Sequence, residues 1–206
     1  AMLCQARRRR WRFSRRNELQ ADAGAIPLLG GSVDAVISNL LLPWIANPPG
    51  LFREVARVLK TDGLFAFSAL GPDSLYELRR AFDDDTPHVR QFADMHDIGD
   101  ALVKSGLRDP VLDIDHLAFN YRDTHDCFRD LTLCGARNTL AGRRRTLTGK
   151  GRWQRLSNAL GAGSGESSLR VSLELVYGHA WGGTPRSADG EFRFRVDDLR
   201  GRRRQV

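Results

Sequence analysis

Cysteine, lysine and long apolar runs are all scarce in this sequence, and each scarcity removes a class of protein. Three cysteines in 206 residues are an odd number and too few for a disulfide framework. Cys127 and Cys134 stand seven apart, which on a helix gives a shared face and not a metal-ligand spacing. Both read as reduced core residues. The histidines, His88, His96, His116, His125 and His179, show no metal-ligand spacing either, so no metal is expected. No stretch approaches the roughly 18 uninterrupted apolar residues that a membrane-spanning helix needs. The start, Ala1-Met2-Leu3-Cys4-Gln5-Ala6, lacks the apolar core of a signal peptide. The expectation is a cytoplasmic protein with no membrane partner.

Lysine is confined to Lys60, Lys104 and Lys150, so the formal charge of +7 is arginine's. The arginines gather at Arg7 to Arg16, Arg137 to Arg155 and Arg193 to Arg204. Such a field attracts nucleic acid, a membrane surface or an acidic protein, and charge alone does not choose among them. No aromatic-interleaved stacking segment or helix-turn-helix signature is present, so nucleic acid is not expected as a partner. With 41% apolar residues over this length, residues 1–206 suit one α/β domain with a hydrophobic core.

Along the chain, residues 2–10 read as the end of a helix, followed by a basic loop to Asn17. Glu18 to Asp22 is a short strand candidate. Val33 to Ser38 is a clearer one, opened by Gly30-Gly31-Ser32. Pro48-Pro49 predicts a helix over 48–59, with Leu51, Phe52, Val55, Val58 and Leu59 on one face and Asp62-Gly63 after its end. Leu64 to Leu70 is nearly continuous in apolar residues, as in a sheet buried on both faces. Helices are then expected at 74–82, at 95–105 closed by Gly106, at 124–133 and around 150–160. Strands are expected at 111–121 and 169–177, with Asp83 to His88 a surface loop and Gly161 to Gly165 a flexible one. Alternating strands and helices give a doubly wound α/β sheet, with ligands beyond the carboxyl ends of its strands.

Several runs carry a resemblance beyond the pattern. Asp22-Ala23-Gly24-Ala25-Ile26-Pro27-Leu28, and then Gly31-Ser32-Val33-Asp34-Ala35-Val36-Ile37-Ser38-Asn39-Leu40, resemble the class I S-adenosylmethionine-dependent methyltransferases. Phe52 to Gly63 is similar to their helix-and-turn signature. Phe67-Ser68-Ala69-Leu70-Gly71-Pro72-Asp73-Ser74-Leu75-Tyr76-Glu77-Leu78-Arg79, Phe92-Ala93-Asp94-Met95-His96-Asp97-Ile98-Gly99-Asp100-Ala101-Leu102 and Val176-Tyr177-Gly178-His179-Ala180-Trp181 look more specifically like the BioC-type malonyl-carrier-protein O-methyltransferases of the biotin pathway. The resemblance covers roughly residues 18–200. It implies a Rossmann-like sheet, mostly parallel with an antiparallel last strand, and S-adenosylmethionine as cofactor. By position, Asp22 and Ala23 become the adenine contacts, and Asn39 and Leu40 lie beside the methionine moiety. The plainer alternatives are a strand-end turn residue for Asp22 and a turn cap for Asn39. His96 reads as a helix-start residue, and Trp44 and Trp181 as core or pocket wall.

The family pattern is departed from at Pro43, where many relatives carry glutamine, and more seriously at the start. The glycine-rich loop after the family's first strand, and the acid after its second, are absent from the 206 residues. The expectation is therefore a methyltransferase domain that is incomplete at its amino end, lacks its first strands, and binds the cofactor poorly or not at all by itself. Glycine in that loop lets backbone amides approach the cofactor, and no later segment replaces it.

The resemblance implies a malonyl group on acyl-carrier protein as substrate, its free carboxylate becoming a methyl ester. A carboxylate is ionised at neutral pH and needs no general base, so holding the reacting atoms in line and excluding water is the enzyme's task. An arginine fork suits such a carboxylate. Arg137, Arg143, Arg144 and Arg145 are the candidates, in an insertion over 137–168 expected to face substrate and carrier; a solvated face is the alternative for each. Two other readings stand beside this one: a methyltransferase-like assembly factor acting on a respiratory-complex subunit, and a non-catalytic basic binding module.

Overall fold

The computed structural model describes residues 17–146, 148–162 and 169–183. Strand β1 (Val33–Asn39), helix α1 (Pro48–Val58) and strand β2 (Leu59–Leu70) form the expected β-α-β unit, with β1 and β2 parallel. Helix α1 starts where proline chemistry places it: Asn47 caps it by accepting a hydrogen bond from the Gly50 amide, and Leu51, Phe52, Val55 and Val58 turn inward. It ends at Val58 and not after Leu59. Leu59 is extended, its side chain is drawn into the core, and it opens β2. Asp62, expected to close the helix, instead sits at φ +62° within β2, where the register with β1 slips between Val33↔Leu59 and Ala35↔Leu64.

Helix α2 (Tyr76–Ala81), helix α3 (Met95–Lys104), strand β3 (Leu107–Tyr121), helix α4 (Thr124–Leu133), helix α5 (Lys150–Ala162) and strand β4 (Leu169–Gly182) follow. Among the described residues the sheet has the order β1-β2-β4-β3. β4 runs antiparallel to both neighbours, so β1, β2 and β3 share one direction and the last strand opposes them. That is the α/β architecture expected. Glu18 to Asp22, read as a strand, is not one: Asp22 makes only an isolated bridge to Ala25 across a tight turn, and no described strand lies beside the segment to pair with it.

The main core lies on one face of the sheet. Phe65, Phe67 and Ala69 of β2 and Val176 and Ala180 of β4 pack on α1 and α3, with Phe65 and Phe67 stacked at 5.1 Å and Phe52 edge-on to Phe65 at 6.1 Å. A second core lies past the carboxyl end of β2, where β3 and β4 continue as a two-stranded ribbon: Leu78, Cys127, Leu156 and Leu160 cover Leu169 and Val171. Cys134, expected in the core, is exposed, because α4 ends there as the chain turns away. Gly161 belongs to α5 and not to a loop. The predicted helix at 2–10, the basic runs Arg7 to Arg16 and Arg193 to Arg204, and Gly163 to Gly165 lie outside the described residues. Among those described, no helix is long and apolar enough to cross a membrane.

Candidate active site

The carboxyl ends of β1 and β2 meet in a small polar network. The Ser68 hydroxyl donates to Asn39 Oδ1 at 2.6 Å, while the Leu40 amide donates to both Ser68 Oγ and Ser68 O at 3.1 Å. These bonds hold Leu40 at φ +50°, a left-handed conformation unfavourable for leucine, so the chain leaves β1 in a sharp turn. Asn39 is exposed, and among the described residues its amide nitrogen has no partner.

Asp22 heads the turn that the sequence offers as the adenine contact. Its Oδ1 accepts from the Gly24 amide at 2.8 Å, and Ala23 packs on the main core. The stretch after it is tied to α1. Glu54 accepts from the Ile26 amide at 2.9 Å, and Arg57 donates to the carbonyls of Ile26 (2.7 Å) and Leu28 (2.8 Å). The Arg57 guanidinium, helped by the Ile26 amide, holds the Glu54 carboxyl down at about 2. Asp22, Ala23, Asn39 and Leu40 thus all sit on segments anchored to the β1-α1-β2 unit. The aspartate's second oxygen, the Ala23 amide and the Asn39 side-chain nitrogen have no hydrogen-bond partner among the described residues. This donor and acceptor set fits an adenosyl-methionine group.

At the carboxyl end of β2 the chain turns through Gly71-Pro72-Asp73-Ser74 under the control of the buried Glu174. Its main chain accepts from the Gly71 amide (2.9 Å), its carboxylate from the Asp73 amide (2.7 Å), and the buried Ser74 hydroxyl bonds its main chain in both directions at 3.0 Å. Gly71 is required by close approach, since a Cβ there would lie 2.3 Å from Glu174 Cδ. Arg79, on the helix this turn launches, donates to the carbonyls of Pro72 (3.1 Å) and Ser74 (3.2 Å).

Two clefts adjoin here. The smaller, about 120 Å³, is lined by Leu42, Pro43, Ala69 and Leu70 near the strand ends, and by Arg90 and Gln91. The larger, about 530 Å³, shares Arg90 and Gln91 and adds Arg79, Phe82, His88 and Leu140. Its wall is the segment 82–92, half-buried at Asp84, Thr86, His88 and Arg90, and more than the surface loop expected. His88 stacks on Phe82 at 3.7 Å and its Nε2 meets Asp84 at 2.7 Å. Burial raises the Asp84 carboxyl, but the hydrogen bonds from His88 and the Thr86 amide outweigh it and leave it below the usual range. Asn138, Arg152 and Arg155 brace this wall from outside: Asp84 pairs with Arg152 and Asp83 with Arg155, each at 2.8 Å, and Asn138 donates to the Pro87 carbonyl at 2.8 Å.

The four sequence-predicted arginines are not gathered at the strand ends. Arg137, Arg143, Arg144 and Arg145 are exposed on the bracing loop, and among the described residues none makes an ion pair. Arg143 donates to the Leu140 carbonyl and Arg144 to Thr146 Oγ1. Sequence reasoning missed Arg79, His88 and Arg90. Its one usable signal was the aromatic spacing of Phe82, His88 and Phe92 within an acidic, proline-bearing loop. Trp44 and Trp181 are both partly exposed, and His96 stands in the first turn of α3, its amide bonded to the Asp94 cap at 2.7 Å.

Known proteins similar to this chain include methyltransferases. The family model for a methyltransferase domain matches residues 1–67. Solved structures of the same fold include the YcgJ protein of Bacillus subtilis (TM-score 0.54, 17% identity, covering 81% of this chain and 71% of that one). Another is a putative methyltransferase of Bacillus halodurans (TM-score 0.54, 18% identity, 80% of this chain and 71% of that one). Among curated proteins, the chain is 47% identical to the malonyl-[acyl-carrier protein] O-methyltransferase of Gallionella capsiferriformans over 81% of its own length and 58% of the relative's. It is 43% identical to that of Laribacter hongkongensis over 78% and 55%, so it spans little more than half the length of these relatives. The enzyme of the same name from Halorhodospira halophila is 40% identical over 99% of this chain and 72% of the relative. With that extent of likeness on a class I methyltransferase sheet, the chain belongs to the malonyl-[acyl-carrier protein] O-methyltransferase family.

Proposed function

We propose that this chain carries the substrate-facing part of an S-adenosylmethionine-dependent methyltransferase that esterifies the free carboxylate of a malonyl group on acyl-carrier protein, the entry step of biotin synthesis in the cytoplasm. The observation that supports this most is the pair of clefts by the carboxyl end of β2, the smaller walled by Ala69 and Leu70 and sharing Arg90 and Gln91 with the larger, in a chain of this family. The bound cofactor supplies an electrophilic methyl group on sulfonium sulfur. Asp22 and Ala23 would take the adenine, the carboxylate and amide of one turn matching its amine and ring nitrogen. Asn39 and Leu40 would border the methionine end, where the Ser68 hydroxyl fixes the asparagine's orientation.

A carboxylate acceptor is ionised at neutral pH and would need no general base from this chain. The chain's contribution is then positional. The apolar walls at Leu42, Pro43, Ala69 and Leu70 exclude water from the reacting atoms, and alignment of two bound reactants can supply several kcal/mol of the barrier. Residues 137–168 would face the carrier protein. The exposed Arg137, Arg143, Arg144 and Arg145 would form a basic rim for an acidic partner, with association weakening as salt rises.

The deciding experiment incubates the natural polypeptide that carries this chain with methyl-labelled S-adenosylmethionine and malonyl- or acetyl-loaded carrier protein. Label should enter only the malonyl form, as an ester cleaved by mild base. Transfer to neither form, or equal transfer to both, refutes the proposal.

A further inference from the structure

The larger cleft is lined by two arginines, Arg79 and Arg90, that no acid neutralises among the described residues. Arg79 reaches only two carbonyls, and its Nε is shut away from solvent without an acceptor. Arg90 is half-buried, and its hydrogen bond, to Thr139 Oγ1, is long at 3.4 Å. Of the two acids lining the same cleft, Asp84 is taken by His88 and Arg152, and Asp85 lies at the exposed rim, paired with neither arginine. Better solvated arginines of this chain do find acids, as in Arg57 with Glu54, Arg129 with Asp126 and Arg155 with Asp83. A cation withdrawn from water without a counter-charge is costly, and an incoming anion offsets that cost.

Position narrows the choice of anion. Arg90 lines both clefts, and Ala69 and Leu70 at the carboxyl end of β2 wall the smaller one, so an anion held by Arg90 in the larger cleft stands at the junction that faces that strand end. The planar fork of arginine matches the paired oxygens of a carboxylate. We infer that Arg79 and Arg90 form the subsite for the free carboxylate of the acyl group, with Arg90 at the junction guiding it toward the methyl donor. This rests on the methyl-transfer reading above. It moves carboxylate recognition away from the exposed arginines at 137–145, which keep the role of carrier-facing rim. A phosphodiester on the carrier's prosthetic arm offers the same oxyanion chemistry. The carboxylate is preferred because the acceptor has to reach the strand ends.

Equilibrium binding to the natural polypeptide, followed by fluorescence anisotropy, tests this with three labelled ligands: malonyl-loaded carrier, acetyl-loaded carrier, and carrier without its arm. The wild type should favour the malonyl over the acetyl form by about tenfold or more, the size expected for hydrogen bonds to a charged group. Arg90→Gln should erase that preference, and Arg79→Lys should reduce it. Paired Arg143→Gln and Arg144→Gln replacements should weaken all three ligands and leave the ratio intact. Retention of the ratio in both Arg90→Gln and Arg79→Lys overturns the inference. Equal weakening of the malonyl and acetyl forms by Arg90→Gln, with the armless carrier unaffected, assigns the anion to the phosphodiester and also overturns it. A wild type with no preference sinks the substrate reading itself, and the subsite with it.

Discussion

Ser74→Ala removes one oxygen atom from the interior, and its cost follows from the hydrogen bonds on either side. Where β2 stops at Leu70, β4 has lost the neighbour that satisfied its main chain. The Ser74 hydroxyl takes the neighbour's place, accepting from the Glu174 amide and donating to the Glu174 carbonyl, both at 3.0 Å. After substitution the carbonyl keeps its bond from the Gly71 amide at 2.9 Å, but the amide has no substitute acceptor. Ser74 is fully buried and Glu174 nearly so, leaving water little access to the orphaned group. An unsatisfied buried donor costs about 1–3 kcal/mol, so a loss of about 2 kcal/mol is expected. Urea unfolding of the whole chain should show it as a lower midpoint at unchanged slope. The same turn positions Arg79 through the Ser74 carbonyl, so the variant should also weaken the preference for malonyl-loaded carrier. A stability loss below about 0.5 kcal/mol would refute the claim that this hydroxyl completes the ladder.

Two further outcomes follow from titratable groups. Glu54 has a folded-state carboxyl held near 2 against an ordinary 4.5, so its stabilisation is present above pH 4.5 and lost as pH falls through about 2. Glu54→Gln should therefore cost about 1 kcal/mol at neutral pH after solvent screening, and the gap between the two urea midpoints should close on acidification; a gap that is constant with pH contradicts the assignment. Burial pushes the Cys127 thiol up to about 11, whereas Cys134 is exposed. With Cys4 replaced by serine, a thiol reagent at pH 8 should label one site quickly and the second only after unfolding, and equal rates at both would contradict the packing of α4.

What was legible in the sequence was whatever had a period. Leu51, Phe52, Val55 and Val58 repeat at helical spacing, and Leu64 to Leu70 has the nearly continuous apolar character of a buried strand, interrupted by Ser68, so the β-α-β unit was readable. Glu18 to Asp22 had no alternation to support a strand, and the aspartate-plus-glycine chemistry of an Asx turn at Asp22 and Gly24 was the better signal. Strand β3 begins at Leu107, four residues earlier than periodicity gives. Its register slips between Arg108 and Val111, with Asp109 at φ +48° and Pro110 next to it, a proline tolerated because β3 lies at the sheet edge. The larger cleft was hidden for a different reason. It is assembled from segments about fifty residues apart, joined by contacts such as Asn138 to Pro87 and Arg90 to Thr139, and no local pattern foretells them. Charge in a sequence shows where arginines are dense, and density pointed to 137–145. What separates a ligand-seeking arginine from a solvated one is burial without a carboxylate partner. That property belongs to the folded geometry of Arg79 and Arg90, two arginines outside the dense basic runs among the 32 lysines and arginines of the chain.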